Sequence, residues 1–380
     1  MSSENEEYDA SMIVVLEPHE AIRKRPGMYV GSTGERGIHQ MLFEVADRAL
    51  NDGRSGRADR VEITLLADGG VRVADDGTGA PVEELDAQLI RMSPVCRPAG
   101  GRRLVLSSWG LGLFITSALS HRMTAEVRGA GVEWRRAYAR GVPVGPPVTT
   151  EPAPGSGTTL TFWPDPEIFG TAECSFDDLA DRFRELAFLD PDLDIILTDE
   201  RGPAAPRALR FRCPGGVGEF VDFLDADAGV PVHPDIIRVE REDRGMGGRV
   251  SVALRWCGGT AERVLTFANG RPTFGGGTHA AGFRAGVAAA LTAYAREGGL
   301  LAEVDADLDH DRAAVGLTAV VSVALDDPEF LGATADTLGG QAVHLAVEEA
   351  VRECLTHWLR RHPDRAAAVL ARITGPAHLA

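Results

Sequence analysis

Residues 37–51, GIHQMLFEVADRALN, and residues 73–81, VADDGTGAP, decide how this chain folds. The first stretch repeats apolar residues at helical spacing, which predicts a helix with one stripe that a core can bury. Its opposite face carries Glu44, Asp47, Arg48 and Asn51. A charged helix face is most often solvated, so these polar residues alone do not indicate a functional site.

A predicted β-hairpin leads into the second stretch. Residues 61–65 and 71–73 alternate apolar and polar side chains on either side of an Asp-Gly-Gly turn. The hairpin ends at residues 75–79 in two carboxylates and two glycines. A carboxylate at a strand end can accept a hydrogen bond from an exocyclic amine, and glycine lets a flat ring approach the backbone. An ordinary turn is the competing interpretation.

The composition is typical of a globular protein with two domains. The chain has 380 residues, of which 44% are hydrophobic and 25% are charged, so it can bury a sizeable core. No apolar run approaches the roughly 20 residues that span a bilayer, and the acidic start is not typical of a signal peptide. We therefore expect a cytoplasmic protein without membrane contact. A formal charge of -17 opposes strong DNA binding by the chain alone.

Three residue types are informative through their distribution. Five cysteines are scattered without paired spacing, which favours reduced and mostly buried thiols over a disulfide framework or a zinc site. Lys24 is the only lysine, so arginine supplies the remaining positive side-chain charge. Asparagine occurs only at Asn5, Asn51 and Asn269.

The rest of the chain alternates between further predicted strands and helices. Residues 156–164 alternate as a strand, residues 177–189 form an amphipathic helix, and residues 195–197 form another strand. An alanine-rich helix runs to Glu297, and His279 at its start is more consistent with packing at a strand-to-helix corner than with catalysis. The last predicted helix covers residues 341–362 and stops before Pro363.

Together with the two opening stretches, several longer motifs resemble the ATPase and transducer region of the DNA gyrase B family, within the GHKL group of ATPases. They are YDAS at 8–11, EAIRKRPGMYVG at 20–31, GGGTHAAGFR at 275–284 and AAVGLTAVVSV at 313–323. The resemblance implies an α+β fold: a GHKL (Bergerat-type) α/β sandwich with a dimerisation arm over residues 1–214, then a transducer α/β domain over 215–380. We expect helices on one face of a mixed sheet in the first domain.

The resemblance also implies which residues bind a cofactor, either ATP or another adenine nucleotide. Asp75 and Thr158 match the pair that shares the adenine site, and Gly110 and Gly112 match a turn whose free N–H groups suit phosphate at a helix start. Tyr8 matches an arm tyrosine that reaches the partner's nucleotide in a homodimer. The cofactor-binding candidates are Tyr8, Asp75, Gly77, Gly79, Arg102, Arg103, Trp109, Gly110, Gly112, Arg135 and Thr158.

Two positions depart from the family in ways that affect catalysis. Glu44 matches the glutamate that activates the attacking water, but Arg48 stands where the family has an asparagine that holds magnesium. A guanidinium only donates hydrogen bonds and cannot ligate a metal, so a magnesium cofactor is doubtful. The family's Gln-Thr-Lys run falls on ATA at residues 333–335. Phosphoryl transfer depends on cationic stabilisation, so we expect little hydrolysis.

Smaller departures lie around the predicted phosphate loop. The lid segment, residues 91–103, is shorter than in the gyrase pattern and carries two prolines. The family's Gly-Gly-Leu-His-Gly-Val-Gly corresponds to LSSWGLG at residues 106–112, so Trp109 replaces a histidine and can narrow a triphosphate pocket.

The residues and the resemblance leave three functions open. The first is a gyrase-B-like nucleotide-binding protein with a degenerate ATPase site, lacking a DNA-cleavage domain, in which arginines bind phosphates directly. The second is a GHKL scaffold repurposed as a secondary-metabolite enzyme, with Glu44 as base and Arg48 beside it, although that pair could equally be a plain salt bridge. The third is an ATP-hydrolysing subunit fragment of a type II DNA topoisomerase.

Overall fold

The computed structural model describes residues 16–54, 58–92, 102–107, 112–151, 154–203, 205–226, 228–301, 306–332 and 336–374. The helices are α1 Pro18–Lys24, α2 Gly27–Val30, α3 Glu35–Arg54, α4 Val82–Ile90, α5 Leu113–Ala118, α6 Pro166–Phe169, α7 Phe176–Leu189, α8 Gly216–Asp225, α9 Thr278–Glu297, α10 His310–Ala313, α11 Gln341–Arg361 and α12 Pro363–Thr374. The strands are β1 Val61–Leu65, β2 Val71–Asp75, β3 Ser120–Gly129, β4 Val132–Ala139, β5 Val142–Pro143, β6 Val148–Thr150, β7 Gly157–Pro164, β8 Ile195–Asp199, β9 Arg207–Phe211, β10 Ile237–Asp243, β11 Gly248–Trp256, β12 Arg263–Ala268, β13 Arg271–Pro272, β14 Leu317–Leu325, β15 Phe330–Leu331 and β16 Thr337–Leu338.

The first unit is a mixed sheet with helices packed against it. Its order is β5-β4-β3-β7-β2-β1-β8-β9, with β6 paired to β4, and β1 runs parallel to β8 while its other neighbour, β2, is antiparallel. Helix α3 packs against β1, β2 and β7. Its predicted apolar stripe is fully buried: Ile38, Met41, Leu42, Val45 and Ala49 are each at most 2% exposed. The helix predicted from periodicity is therefore confirmed.

The predicted hairpin is also confirmed, and it brings two predicted site residues side by side. In the β1–β2 pair Val61 lies opposite Asp75, which is the last residue of β2. On its other edge β2 pairs with β7, where Asp75 lies opposite Thr158. Two residues 83 positions apart in sequence are thus neighbours at one end of adjacent strands.

The second unit is a five-stranded sheet of order β10-β11-β14-β12-β13, in which β12 and β14 are parallel. Helices α9 and α11 pack against each other beside it. A Cβ on Gly286 of α9 would lie 2.7 Å from the carbonyl oxygen of Glu348 on α11. Glycine at this position therefore allows the two helices to approach closely. Trp256 and Phe283 are fully buried in this unit's core.

The two units share buried apolar contacts. The boundary predicted after residue 214 falls in the turn between β9 and α8. Helix α8 places Phe220 and Val221 in the core of the first unit, and that core also includes Phe267 and Val320 of the second sheet. The position of the boundary stays a prediction, because this core crosses it.

The C-terminal part differs from the sequence expectation. Helix α11 ends at Arg361, one residue before the predicted end, and it is not the last helix, because α12 begins at Pro363. His362 has φ of -129° and interrupts the helical backbone. Proline is well suited to the first turn of a helix, where its missing N–H is not needed, so Pro363 starts a helix as well as stopping one.

Two side-chain predictions are confirmed. His279 is fully buried, with Nε2 3.0 Å from Thr273 Oγ1, and burial lowers its pKa to about 4. The four cysteines that the structure describes are free thiols. Cys174, Cys213 and Cys257 are buried, and Cys354 is partly buried. Cys96 lies outside the described residues.

Among the residues that the structure describes, no helix has both the length and the hydropathy to cross a bilayer.

Candidate functional site

The carboxylate of Asp75 is held in a fixed orientation at the end of β2. Its Oδ1 accepts hydrogen bonds from the backbone N–H groups of Gly77, at 3.1 Å, and Thr158, at 3.3 Å. Thr158 is fully buried, and its Oγ1 accepts a hydrogen bond of 2.9 Å from the N–H of Ala80. Thr158 therefore connects β7 to the turn that follows Asp75.

That turn depends on Gly79. Its φ of 88° lies in the left-handed region, and a Cβ would lie 2.7 Å from the carbonyl oxygen of Arg128 at the end of β3. A larger residue would be strained and would also collide with the neighbouring strand. The predicted close backbone approach at this glycine is made to the chain's own β3.

The polar face of α3 points toward these strand ends. Glu44 is 6% exposed, and its Oε2 accepts a 2.9 Å hydrogen bond from the N–H of Gly112, the N-cap of α5. Arg48 donates from Nη1 to Asp52 Oδ2 at 2.9 Å and from Nη2 to Asp75 Oδ2 in a shorter contact. The side chain of Asp75 is only 2% exposed as a result. This helix face is therefore packed, in contrast to the solvated face that its charge pattern suggests.

Arg48 brings a fixed positive charge into the site. Its side chain is 14% exposed, and its buried Nε has no hydrogen-bond partner among the described residues. The guanidinium lies between two carboxylates and cannot coordinate a metal. Within the described residues, the acid and histidine cluster with metal-ligand spacing lies elsewhere, at Glu35, His39 and Asp178. There the N–H of Ser175 already donates to His39 Nε2 at 3.0 Å.

Residues 102–107, here called the clasp segment, form hydrogen bonds with side chains of α3. Sequence reasoning did not predict these contacts. Asp47 accepts hydrogen bonds from the N–H groups of Leu106, at 2.7 Å, and Ser107, at 3.3 Å. Asn51 accepts from the N–H of Leu104 at 2.9 Å and donates to its carbonyl at 3.1 Å. Burial raises the pKa of Asp47 to about 6, although the hydrogen bonds from the clasp segment oppose that shift.

The second unit holds the clasp segment from the opposite side. Asn269 donates to the carbonyl of Arg103 at 2.9 Å and accepts from the N–H of Val105 at 2.9 Å through its own carbonyl. The guanidinium of Arg102 makes two hydrogen bonds to Glu242 of β10, at 2.7 and 2.6 Å. The available signal was the scarcity of asparagine, because Asn51 and Asn269 are two of only three in the chain.

The other predicted site residues are distributed as follows. Arg135 lies on β4, is about half exposed, and pairs with Glu126 at 3.2 Å and Glu133 at 3.3 Å. By register it is two strands from β7, or roughly 10 Å. Arg102 and Arg103 lie in the clasp segment, where the two-nitrogen edge of Arg102 is already bonded to Glu242. Tyr8, Trp109 and Gly110 lie outside the described residues, as do 93–101 and 333–335.

Comparisons with known proteins agree with this architecture. A family model described as the histidine kinase-, DNA gyrase B- and HSP90-like ATPase matches residues 33–168, and the DNA gyrase B model matches residues 216–378. The solved 43K ATPase domain of Thermus thermophilus gyrase B, in complex with an aminocoumarin, aligns with a TM-score of 0.79 at 30% identity, covering 95% of this chain and 94% of that chain. This chain belongs to the DNA gyrase B family.

Other members of the gyrase B family give the same result. The solved gyrase B protein from Myxococcus xanthus has a TM-score of 0.79 at 29% identity and covers 93% of this chain and 99% of that chain. The DNA gyrase B protein from Streptomyces coelicolor is 40% identical over 98% of this chain and 58% of its own length. The Mycobacterium tuberculosis protein is 36% identical over 98% of this chain and 60% of its own length. This chain thus spans about three fifths of the length of the Streptomyces coelicolor and Mycobacterium tuberculosis proteins.

These neighbours confirm the expected fold, a GHKL sandwich followed by a transducer domain.

Proposed function

We propose that this chain is a gyrase-B-like nucleotide-binding protein that takes ATP or another adenine nucleotide and hydrolyses it poorly or not at all. The observation that carries the proposal is the fixed carboxylate of Asp75. Two backbone N–H groups hold Oδ1, so an exocyclic amine would bind at Oδ2, which in this structure receives Nη2 of Arg48. The relative from Thermus thermophilus that aligns with almost the whole chain is described as an ATPase domain.

The residues at and around the proposed base, Glu44, support weak hydrolysis. Glu44 is positioned by Gly112 and retains the carboxylate that could activate water, a contribution of roughly 10²–10⁴ in rate. Arg48 occupies the helix position one turn further on, where the family has a metal-binding amide. The only lysine, Lys24, lies at the exposed end of α1. The cationic groups that stabilise a transferring phosphoryl are therefore missing or rearranged.

Titration calorimetry and a phosphate-release assay on one preparation test both halves of this proposal. We expect saturable binding of ATP and of a non-hydrolysable analogue, with affinities that change little when Mg²⁺ is added. Phosphate release should not exceed that of a Glu44→Ala variant. Brisk, Mg²⁺-dependent phosphate release that Glu44→Ala removes would overturn the hydrolysis half, and absence of binding would overturn the nucleotide half.

A second candidate is an ATP-hydrolysing fragment of a type II DNA topoisomerase subunit. It is favoured by the alignment of 98% of this chain with 58% of the Streptomyces coelicolor gyrase B protein. The phosphate-release assay separates the two candidates, because only the fragment requires turnover.

We also propose that the chain forms a homodimer through the arm that contains Tyr8. A homodimer that does not depend on hydrolysis should persist without nucleotide. Light scattering of the nucleotide-free protein tests this, and a monomer would contradict it.

A further inference from the structure

Both oxygens of the Asp75 carboxylate are already engaged by the protein. Oδ1 receives the N–H groups of Gly77 and Thr158, and Oδ2 receives Nη2 of Arg48. With the side chain 2% exposed, an incoming amine has no open approach to the carboxylate in this arrangement. A ligand amine must displace the guanidinium or share Oδ2 with it.

Arg48 has a second partner that could hold it after such a displacement. Its Nη1 donates to Asp52 Oδ2 at 2.9 Å, one helical turn further along α3. The Asp52 side chain is 23% exposed, against 2% for Asp75, so it lies nearer to solvent. If the guanidinium leaves Asp75 for Asp52, it keeps one ion pair and remains at the edge of the site.

We propose that Arg48 determines the ligand specificity of this site by competing with the ligand's base for Asp75. This inference rests on the proposed nucleotide-binding function. A neutral nucleoside weakens or breaks the Arg48–Asp75 pair and gains no favourable interaction with the guanidinium. A nucleotide breaks the same pair, but its phosphates can then interact favourably with the guanidinium. Arg48 therefore favours phosphorylated adenine ligands over adenosine.

The central experiment compares adenosine and ATP binding to the wild type and to Arg48→Asn, without added metal. The substitution removes the competing charged hydrogen bond, which typically corresponds to a tenfold change or more. We expect adenosine affinity to rise at least tenfold and ATP affinity to rise less, so that the ratio of ATP to adenosine affinity falls. Unchanged adenosine affinity would overturn the inference.

Arg241→Asn is the matched control. Arg241 also bridges two carboxylates, Glu353 at 3.1 Å and Glu349 at 3.0 Å, but it does so on β10 and α11 of the second unit. This variant should leave both affinities at the wild-type value. An equal rise in the control would show that the effect comes from net charge and not from release of Asp75.

Asp52→Asn tests the inference from the opposite direction and does not require the Arg48 variant to fold. With Asp52 neutral, Arg48 loses its alternative partner and is held more strongly by Asp75. Adenosine affinity should fall several-fold, and a rise would contradict the proposal. If the wild type binds no adenine ligand but Arg48→Asn does, the inference stands and the proposed function of the native chain fails. If no variant binds, both fail.

Discussion

Asp47 on α3 is a partly buried carboxylate and Asp75 at the end of β2 is a buried one, and the two receive their hydrogen bonds in different ways. Asp47 receives hydrogen bonds from the backbone N–H groups and the side chain of the clasp segment, and burial raises its pKa to about 6. Asp75 receives two backbone N–H groups and a guanidinium. The main-chain donors to Asp47 lie in the clasp segment, whereas one of the donors to Asp75 is a side chain that can rotate away. Helix α3 thus joins a fixed structural contact to an exchangeable one.

The largest expected effect on ligand affinity is at Asp75, on the exchangeable side. Asp75→Asn places an amide donor or a weaker acceptor where the base amine must bind, and it leaves Arg48 facing a neutral group. We expect ATP affinity to fall roughly tenfold to a hundredfold, because the lost hydrogen bond is one to a charged acceptor. Calorimetry measures the affinity. Asp194→Asn, in a surface pair with Arg210, is the matched control and should bind ATP normally.

The largest expected effect on stability is at Asn269, which also holds the clasp segment. Its side chain bonds to the carbonyls of Arg103 and Leu325 and to the N–H of Leu325, each at 2.9 Å, and its φ is 52°. Asn269→Ala should lower the free energy of unfolding by about 3 kcal/mol, since it leaves buried polar groups unpaired and places alanine at positive φ. Urea denaturation measures the loss.

Asn269→Gly separates the two causes of that loss. Glycine tolerates the backbone conformation but makes none of the side-chain hydrogen bonds. It should recover about 1 kcal/mol relative to alanine. If alanine and glycine are equally destabilising, backbone strain plays no part, and if neither destabilises, the clasp segment does not join the two units.

The free energy of unfolding should depend on pH through Asp47. Burial raises its folded-state pKa from 3.8 to about 6. A raised pKa means that the folded state holds the proton more tightly, so this contribution to stability is fully present below pH 4 and is lost as pH rises through 6. The loss should be on the order of 2–3 kcal/mol between these limits.

The Asp47→Asn variant is the comparison for that titration. It has no ionisable group at this position, so its unfolding free energy should show a smaller fall between pH 4 and pH 7. An identical pH slope in the wild type and the variant would mean that Asp47 does not carry the proton.

The sequence predicted the secondary structure around Asp47 and Asp75, because it depends on local periodicity. The apolar stripe of α3 and the alternation of β1 and β2 set the helix and the hairpin, and the register of that hairpin then fixed Asp75 at a strand end. The pairing of Asp75 with Thr158 came only from the family resemblance, because it joins strands far apart in sequence.

The sequence could not predict which partner a side chain contacts when several are within reach. Arg48 has carboxylates at positions 44 and 52 on its own helix, and no local pattern indicates Asp75 as a partner. The clasp segment is held through its backbone, which leaves no trace in side-chain spacing. Helix α12, which begins at Pro363, was missed because the proline was interpreted only as a helix stop.

The smallest expected effect is at Arg102. Its substitution tests whether this residue only stabilises the clasp segment or also binds phosphate. Its pair with Glu242 is partly exposed, with the two side chains 25% and 62% accessible, so Arg102→Ala should change the unfolding free energy by less than about 1 kcal/mol. Because the guanidinium is already bonded to Glu242 and near Asp326, we expect ATP affinity to stay within about twofold of the wild type. Glu242→Ala takes away that carboxylate and keeps the guanidinium. If Arg102→Ala weakens ATP binding tenfold and Glu242→Ala strengthens it, Arg102 binds phosphate, and the fixed side of α3 also takes part in ligand binding.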